Sequence, residues 1–202
     1  MTTKGNFQVS IQRYDPANPN LPSQFVSTIP NTYAAFYCMR DNETYAIYLN
    51  NNGPTKCDAK ITIDGELIGV WRINPRTPAL VKAPLCVNRC LVFKNSASFS
   101  ADTSSGRFPE NGKISVEFLP EMGCTADVAV PYRDGLYPVK LSGQNGSMHD
   151  LNTGQYGTGT TVLGTVCPPN LNLVDLIKDI DHANKQTIDV WLVEEYGGPQ
   201  VA

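Results

Sequence analysis

Cys57-Asp-Ala-Lys-Ile-Thr-Ile-Asp-Gly-Glu-Leu-Ile-Gly-Val-Trp-Arg-Ile73 holds two alternating runs joined by Asp64-Gly65. Apolar residues at every second position mark a strand with one buried face. Asp-Gly between two such runs is the preferred two-residue hairpin turn, because both central residues need positive φ. With Asp64 and Gly65 as the loop, Ile63 faces Glu66, Ile61 faces Ile68 and Ala59 faces Val70. Ile61, Ile68, Ala59 and Val70 then form the inward stripe, and Thr62, Leu67, Asp58 and Trp71 point the other way. Gly69 falls on that other side, where it lets a neighbouring group approach the backbone closely.

Strand signals continue on both sides of the hairpin. Phe7, Val9 and Ile11 alternate with polar residues, Thr32 to Met39 is a short apolar run, and Tyr45, Ile47 and Leu49 alternate again. Asp15 to Pro30 reads as a loop, and Asn50-Asn-Asn-Gly-Pro54 breaks the third run. Downstream, strands are expected at Ala79 to Lys82, Arg89 to Lys94, Lys113 to Leu119, Ala126 to Val130, Thr161 to Cys167 and Thr187 to Val193. Leu173, Val174, Ile177 and Ile180 recur at helical spacing and predict one short helix after Pro168-Pro169. Polar, Ser- and Gly-rich loops fill 95–112 and 132–159. About nine or ten strands with no parallel βα alternation indicate an all-β sandwich of jelly-roll or related Greek-key type. The expected organisation is one domain over residues 1–202 with a loop insertion at 132–159.

The 202 residues are 41% hydrophobic but only 17% charged. Charge this scarce implies surface that meets protein, since interface cores are depleted of charge. A net charge of −3 argues against nucleic-acid binding, which needs a basic stripe. No run approaches the roughly 18 apolar residues of a membrane helix. Met1 to Asn6 is polar with no apolar segment behind it, which predicts assembly in a reducing compartment. Cys38, Cys57, Cys86, Cys90, Cys124 and Cys167 include no Cys-x-x-Cys pair and share the chain with only two histidines. They are expected to be mostly buried thiols rather than metal ligands, with disulfides open if the protein ends outside a cell.

No acid, base and nucleophile gather in the sequence. His149 sits beside Ser147 in a Gly-rich loop and reads as a solvated side chain. His182 reads as a partner for the end of the predicted helix. Asp175, Asp179 and Asp181 lack the spacing of an oxygen-ligand metal loop and read as a solvated face. Gly154 to Gly159 lacks the lysine and the strand–helix frame of a phosphate loop. Trp71, Trp191 and the tyrosines suit a core or an interface, or a sugar-stacking platform on a lectin-like sandwich. Asn42-Glu-Thr44 and Asn145-Gly-Ser147 match the glycan acceptor pattern. The reading is a non-enzyme without cofactor or metal. Tyr132, Tyr137 and Tyr156, set among glycines, are the candidate contacts with neighbouring chains.

The 57–73 hairpin is followed by Asn74-Pro-Arg-Thr-Pro78 and Arg89-Cys-Leu-Val-Phe-Lys94, then by Thr160-Thr-Val-Leu-Gly-Thr165 and Thr187-Ile-Asp-Val-Trp-Leu-Val-Glu194. In this order the motifs resemble the penton, the single-jelly-roll vertex protein of large eukaryotic DNA viruses of the chlorella-virus type. The resemblance spans roughly residues 42–119 and 159–194. It implies a pentameric ring at the five-fold vertices of an icosahedral virion, assembled in the host cytoplasm. It also implies contacts with double-jelly-roll major capsid proteins and other minor capsid proteins, and no catalytic residues. Another minor capsid protein would carry the same motifs elsewhere in the shell.

Overall fold

A computed structural model describes residues 1–18, 23–29, 34–85, 87–95, 112–123, 136–140, 160–166 and 174–194. Among these residues the fold is all-β, a sandwich of two sheets. The strands are β1 (Thr2–Lys4), β2 (Phe7–Arg13), β3 (Gln24–Phe25), β4 (Thr28–Ile29), β5 (Ala35–Met39), β6 (Thr44–Asn51), β7 (Cys57–Ile63) and β8 (Glu66–Ile73). There follow β9 (Thr77–Val81), β10 (Arg89–Lys94), β11 (Lys113–Pro120), β12 (Leu136–Lys140), β13 (Thr160–Val166), β14 (Val174–Asp175) and β15 (Gln186–Glu194). The first sheet runs β1-β2-β6-β10-β13, with β3 beside β2 and β9 beside β6. The second runs β14-β12-β8-β7-β11-β15-β5-β4. Pairing is antiparallel except for β12 with β14 and β15 with β5.

The core fills the space between the sheets, as alternation dictates. Phe7, Val9 and Ile11 of β2 and Ile47 and Leu49 of β6 meet Ile61 and Ile63 of β7 and Val116 and Phe118 of β11. Phe7 and Phe118 stack across the gap with ring centroids 4.5 Å apart. Each such side chain contributes about 1.5–3 kcal/mol by leaving water. Two phenol groups buried in the core are partnered. The Tyr37 hydroxyl donates to the Val9 carbonyl at 3.2 Å, and the Tyr45 hydroxyl lies 2.6 Å from the Thr161 hydroxyl.

The hairpin turn has φ of 52° at Asp64 and 83° at Gly65, both positive, and Ile63 pairs with Glu66 and Thr62 with Leu67. Beyond that point the expected register is corrected. Ile61 pairs with Gly69, not Ile68, and Asp58 with Arg72, not Trp71. Ile68 is the extra residue of a β-bulge. Its carbonyl accepts from the Leu85 N–H at 2.9 Å. Past the bulge the faces exchange. Gly69 and Trp71 turn inward, and Val70 and Arg72 turn outward. Gly69 therefore lies on the core side, and the groups that approach it are the Trp71 and Leu85 side chains.

The helix expected over Leu173 to Ile180 is not seen in the described part of that stretch. Val174–Asp175 is a strand, and Ile180 bridges Glu121. A helix this short is marginal without tertiary support. Here its backbone groups are bonded elsewhere: the Ile177 N–H donates to Asp58 Oδ2, and the Asp179 carbonyl accepts from Met122. The 15–30 loop contains the two-residue strands β3 and β4 in its described part. The expected strand at Ala126 to Val130 lies outside the described residues, as does most of the 132–159 segment. Leu136–Lys140 of that segment forms β12, paired with β8 and β14.

Candidate interface faces and loop anchors

Two aspartates at opposite ends of β7 and its turn hold distant segments. Asp58 is 1% exposed and accepts from Arg72 Nε, from Arg72 Nη2 at 3.1 Å and from the Ile177 N–H at 2.9 Å. Arg72 Nη2 also donates to the Asp175 carbonyl at 2.7 Å. A buried carboxylate is tolerated when paired and hydrogen-bonded in this way. Asp64 accepts from the Gly112 N–H through one oxygen and from the Thr161 N–H, at 3.0 Å, through the other. It thereby fixes the points where the chain re-enters the two sheets at β11 and β13. The sequence identified Asp64 as a turn residue, but nothing local signalled either clamp, because the partners lie 48, 97 and 119 residues away.

Directly paired residues of a sheet share a face. Phe7, Val9 and Ile11 point into the core, so Gln8, Ser10 and Gln12 point out. Registration extends these rows to Asn50 and Pro78, to Tyr48 and Leu80, and to Ala46 and Phe25. None of these outward residues is charged. Ser10, Gln12 and Ala46 are buried beneath the others. Phe25 is 49% exposed and meets the Tyr48 ring edge-on at 5.2 Å. Asn50 Nδ2 donates to Gln8 Oε1 at 3.1 Å.

The outer face of the second sheet is the reverse. Asp58, Lys60, Arg72, Lys113, Glu117 and Asp189 point outward on paired positions of β7, β8, β11 and β15. Lys60 lies 3.9 Å from Glu117, Lys185 also pairs with Glu117, and Lys113 lies 3.5 Å from Asp189. Trp191 shares this face, tilted against Phe36 at 5.9 Å, with Lys113 over its ring.

Trp71 and Trp191 therefore sit on opposite sides of the second sheet and form no common platform. Tyr137 lies in β12 opposite Arg72. Tyr132, Tyr156 and His149 lie outside the described residues. His182 caps no helix: it follows Asp181 in a turn. Asp181 accepts from Asn184 Nδ2 and from the Ala183 and Asn184 N–H groups. These bonds, the Asn184 side chain foremost, hold its carboxyl below the usual range. Asp15 is lowered in the same way, first by Asn18. Burial pushes the Cys57 thiol and the Tyr45 phenol far above their ordinary values, so both stay neutral. Cys38 and Cys57 are thiols, and Cys90 is disulfide-bonded, the case left open above for some of the cysteines. Among the described residues, no three His, Cys, Asp or Glu side chains gather as a metal site. No helix there is long and apolar enough to cross a membrane.

No protein-family model matches the chain, and no curated protein or solved structure does.

Proposed function

We propose that this chain is a structural capsid protein, the penton that closes a pentameric ring at the five-fold vertices of an icosahedral virus. In this reading the sandwich is a single jelly roll, in contact with double-jelly-roll major capsid proteins in the virion. The observation that carries it is a two-sheet sandwich in which the chain repeatedly crosses between sheets. It changes sheet from β3 to β4, β5 to β6, β6 to β7, β8 to β9, β10 to β11, β12 to β13 and β13 to β14, the habit of Greek-key and jelly-roll folds.

Three further features support an assembly role. β1, β3, β4 and β14 are only two or three residues long, which blunts the sheet margins against uncontrolled pairing. The paired outward positions of β2, β3, β6 and β9 carry no charge. The lectin-like alternative loses its tryptophan platform, since Trp71 is in the core. A ring uses two different patches per subunit, one for each neighbour.

The test is the chain's place in an assembled particle. Density for five copies around each vertex is the expected result. Density along capsomer seams or beneath the shell sinks the ring while leaving a structural role standing. A particle lacking the chain sinks both.

A further inference from the structure

Asn52-Gly53 follows β6, and an asparagine before glycine carries its own route to chemical change. The Gly53 backbone nitrogen, on giving up its proton, attacks Asn52 Cγ. The new C–N bond closes a cyclic imide, the bond from Cγ to Nδ2 breaks, and ammonia leaves. Water then opens the imide at one carbonyl or the other, giving aspartate or isoaspartate. Glycine favours the attack because it has no Cβ in the way.

The fold holds the attacking nitrogen elsewhere. Asn52 is exposed, but Gly53 is buried, and its N–H donates to Asn51 Oδ1 at 2.9 Å. Asn51 is 0% exposed. Its Nδ2 donates to the Thr55 carbonyl at 2.8 Å and to the Ile73 and Asn74 carbonyls at 3.4 and 3.3 Å, which fixes the acceptor in place. On the other partner of the reaction, the Asn52 N–H donates to the Asn6 carbonyl at 2.8 Å, and Asn52 Oδ1 accepts from Asn50 Nδ2 at 3.0 Å.

We propose that Asn52 is a deamidation site kept closed by the Asn51 carboxamide, reacting only when the 51–53 stretch opens. Attack requires Gly53 to release its proton from Asn51 and turn towards Asn52 Cγ, leaving a buried acceptor unpaired. The glycine that makes the pair labile is also the residue this geometry requires. A Cβ there would lie 3.0 Å from Asn51 Oδ1 and press on the group that protects the site. Gly112, the other described glycine that follows an asparagine, donates its N–H to Asp64 Oδ1, so the arrangement occurs twice. Isoaspartate would add a methylene to the backbone immediately after Asn51, which pairs with Phe7 and Thr77. A transient opening would thereby become a permanent one. The inference concerns this turn alone and stands whether or not the chain forms a ring.

The test keeps the full chain in mildly alkaline buffer, native or in urea, and follows Asn52 by peptide mass mapping. Conversion is read as the mass gain of amide to acid, with isoaspartate resolved by its separate elution. Native wild type should convert on the order of ten- to a hundred-fold more slowly than the chain in urea. Native Asn51→Ala should approach the urea rate, whereas Asp64→Ala, which loosens the fold elsewhere, should keep the wild-type rate at Asn52. Circular dichroism verifies folding. If either variant misfolds, hydrogen exchange of the wild type decides: the Gly53 N–H should be slowed by about the same factor as Asn52 conversion, since both report the open population. Native wild type converting at the urea rate overturns the proposal, as does a folded Asn51→Ala that stays slow. Asp64→Ala accelerating Asn52 as much as Asn51→Ala does, or free exchange at Gly53, overturns it equally.

Discussion

Across β2, β6 and β9 the outward residues are amides, a hydroxyl pair, proline, leucine and alanine. Across β7, β8, β11 and β15 they include Asp58, Lys60, Arg72, Lys113, Glu117 and Asp189, tied into ion pairs. The two faces are the outer sides of two sheets that enclose one core. A low overall charge therefore does not dilute this protein evenly. Much of it is removed from one side and retained on the other. The charged side is organised for water, and one of its pairs, Asp58–Arg72, has been drawn inside to bind the 175–177 stretch.

The comparison can be broken most severely at Asp58. Asp58→Ala leaves Arg72, whose side chain is 14% exposed, without its partner and frees the Ile177 N–H. The expected loss is about 3–5 kcal/mol in urea unfolding. A loss under about 1 kcal/mol would show the pair to be peripheral. Gly69→Ala comes next, because the bulge decides that Val70 and Arg72 belong to the charged side. A Cβ there would lie 2.7 Å from Trp71 Cη2 and 2.8 Å from Leu85 Cβ, at a φ of 152°. About 2–3 kcal/mol should be lost, with a shift in tryptophan fluorescence as the indole moves. Gly65→Val should cost about 1–2 kcal/mol. Nothing lies within 4 Å of a Cβ at Gly65, so the cost comes from its φ of 83° alone. A thermal melt unchanged by that variant would deny the turn geometry. Lys60→Ala sharpens the contrast from below. Its side chain is 44% exposed, so removing the pair with Glu117 should cost at most about 0.5 kcal/mol and less in high salt.

The smallest expected effect is one of pH. Asp181 has its carboxyl lowered from 3.8 by bonds to Asn184 and Ala183. Its contribution is present above that unfolded value and fades as pH falls through the lower folded one. An NMR titration should show the Asn184 amide moving with a midpoint below 3.8. A midpoint at or above 3.8 would contradict the assignment.

Much of the sandwich could be read from period-two alternation. Phe7, Val9 and Ile11, the Asp64-Gly65 turn and the run from Thr187 all stand out because each signal is local. The bulge could not be read, because what creates it is the Leu85 N–H reaching the Ile68 carbonyl. The helical spacing at 173–180 misled for the same reason: remote partners took the backbone bonds a helix needs. The neutral face was present in the letters, as Gln8, Ser10 and Gln12 beside Ala46, Tyr48 and Asn50. Charge summed over the whole chain hides it, and only registration of β2 with β6 brings the rows together.

Asp64 has a further consequence for how this chain tolerates change in length. One carboxylate holds both Gly112 and Thr161, the residues at which two long polar segments return to the sheets. Lengthening either segment need not disturb β11 or β13, because their starting points are fixed from the hairpin. Doubling a flexible connection costs only about 0.6 kcal/mol of closure entropy. An epitope tag inserted after Asp150 should thus leave the melting temperature within a few degrees of the parent. The same insertion combined with Asp64→Ala should not, since the strand starts would then bear the load. The turn that makes the hairpin would in that case also insulate the sandwich, allowing the segments that precede β11 and β13 to change without rewriting its core.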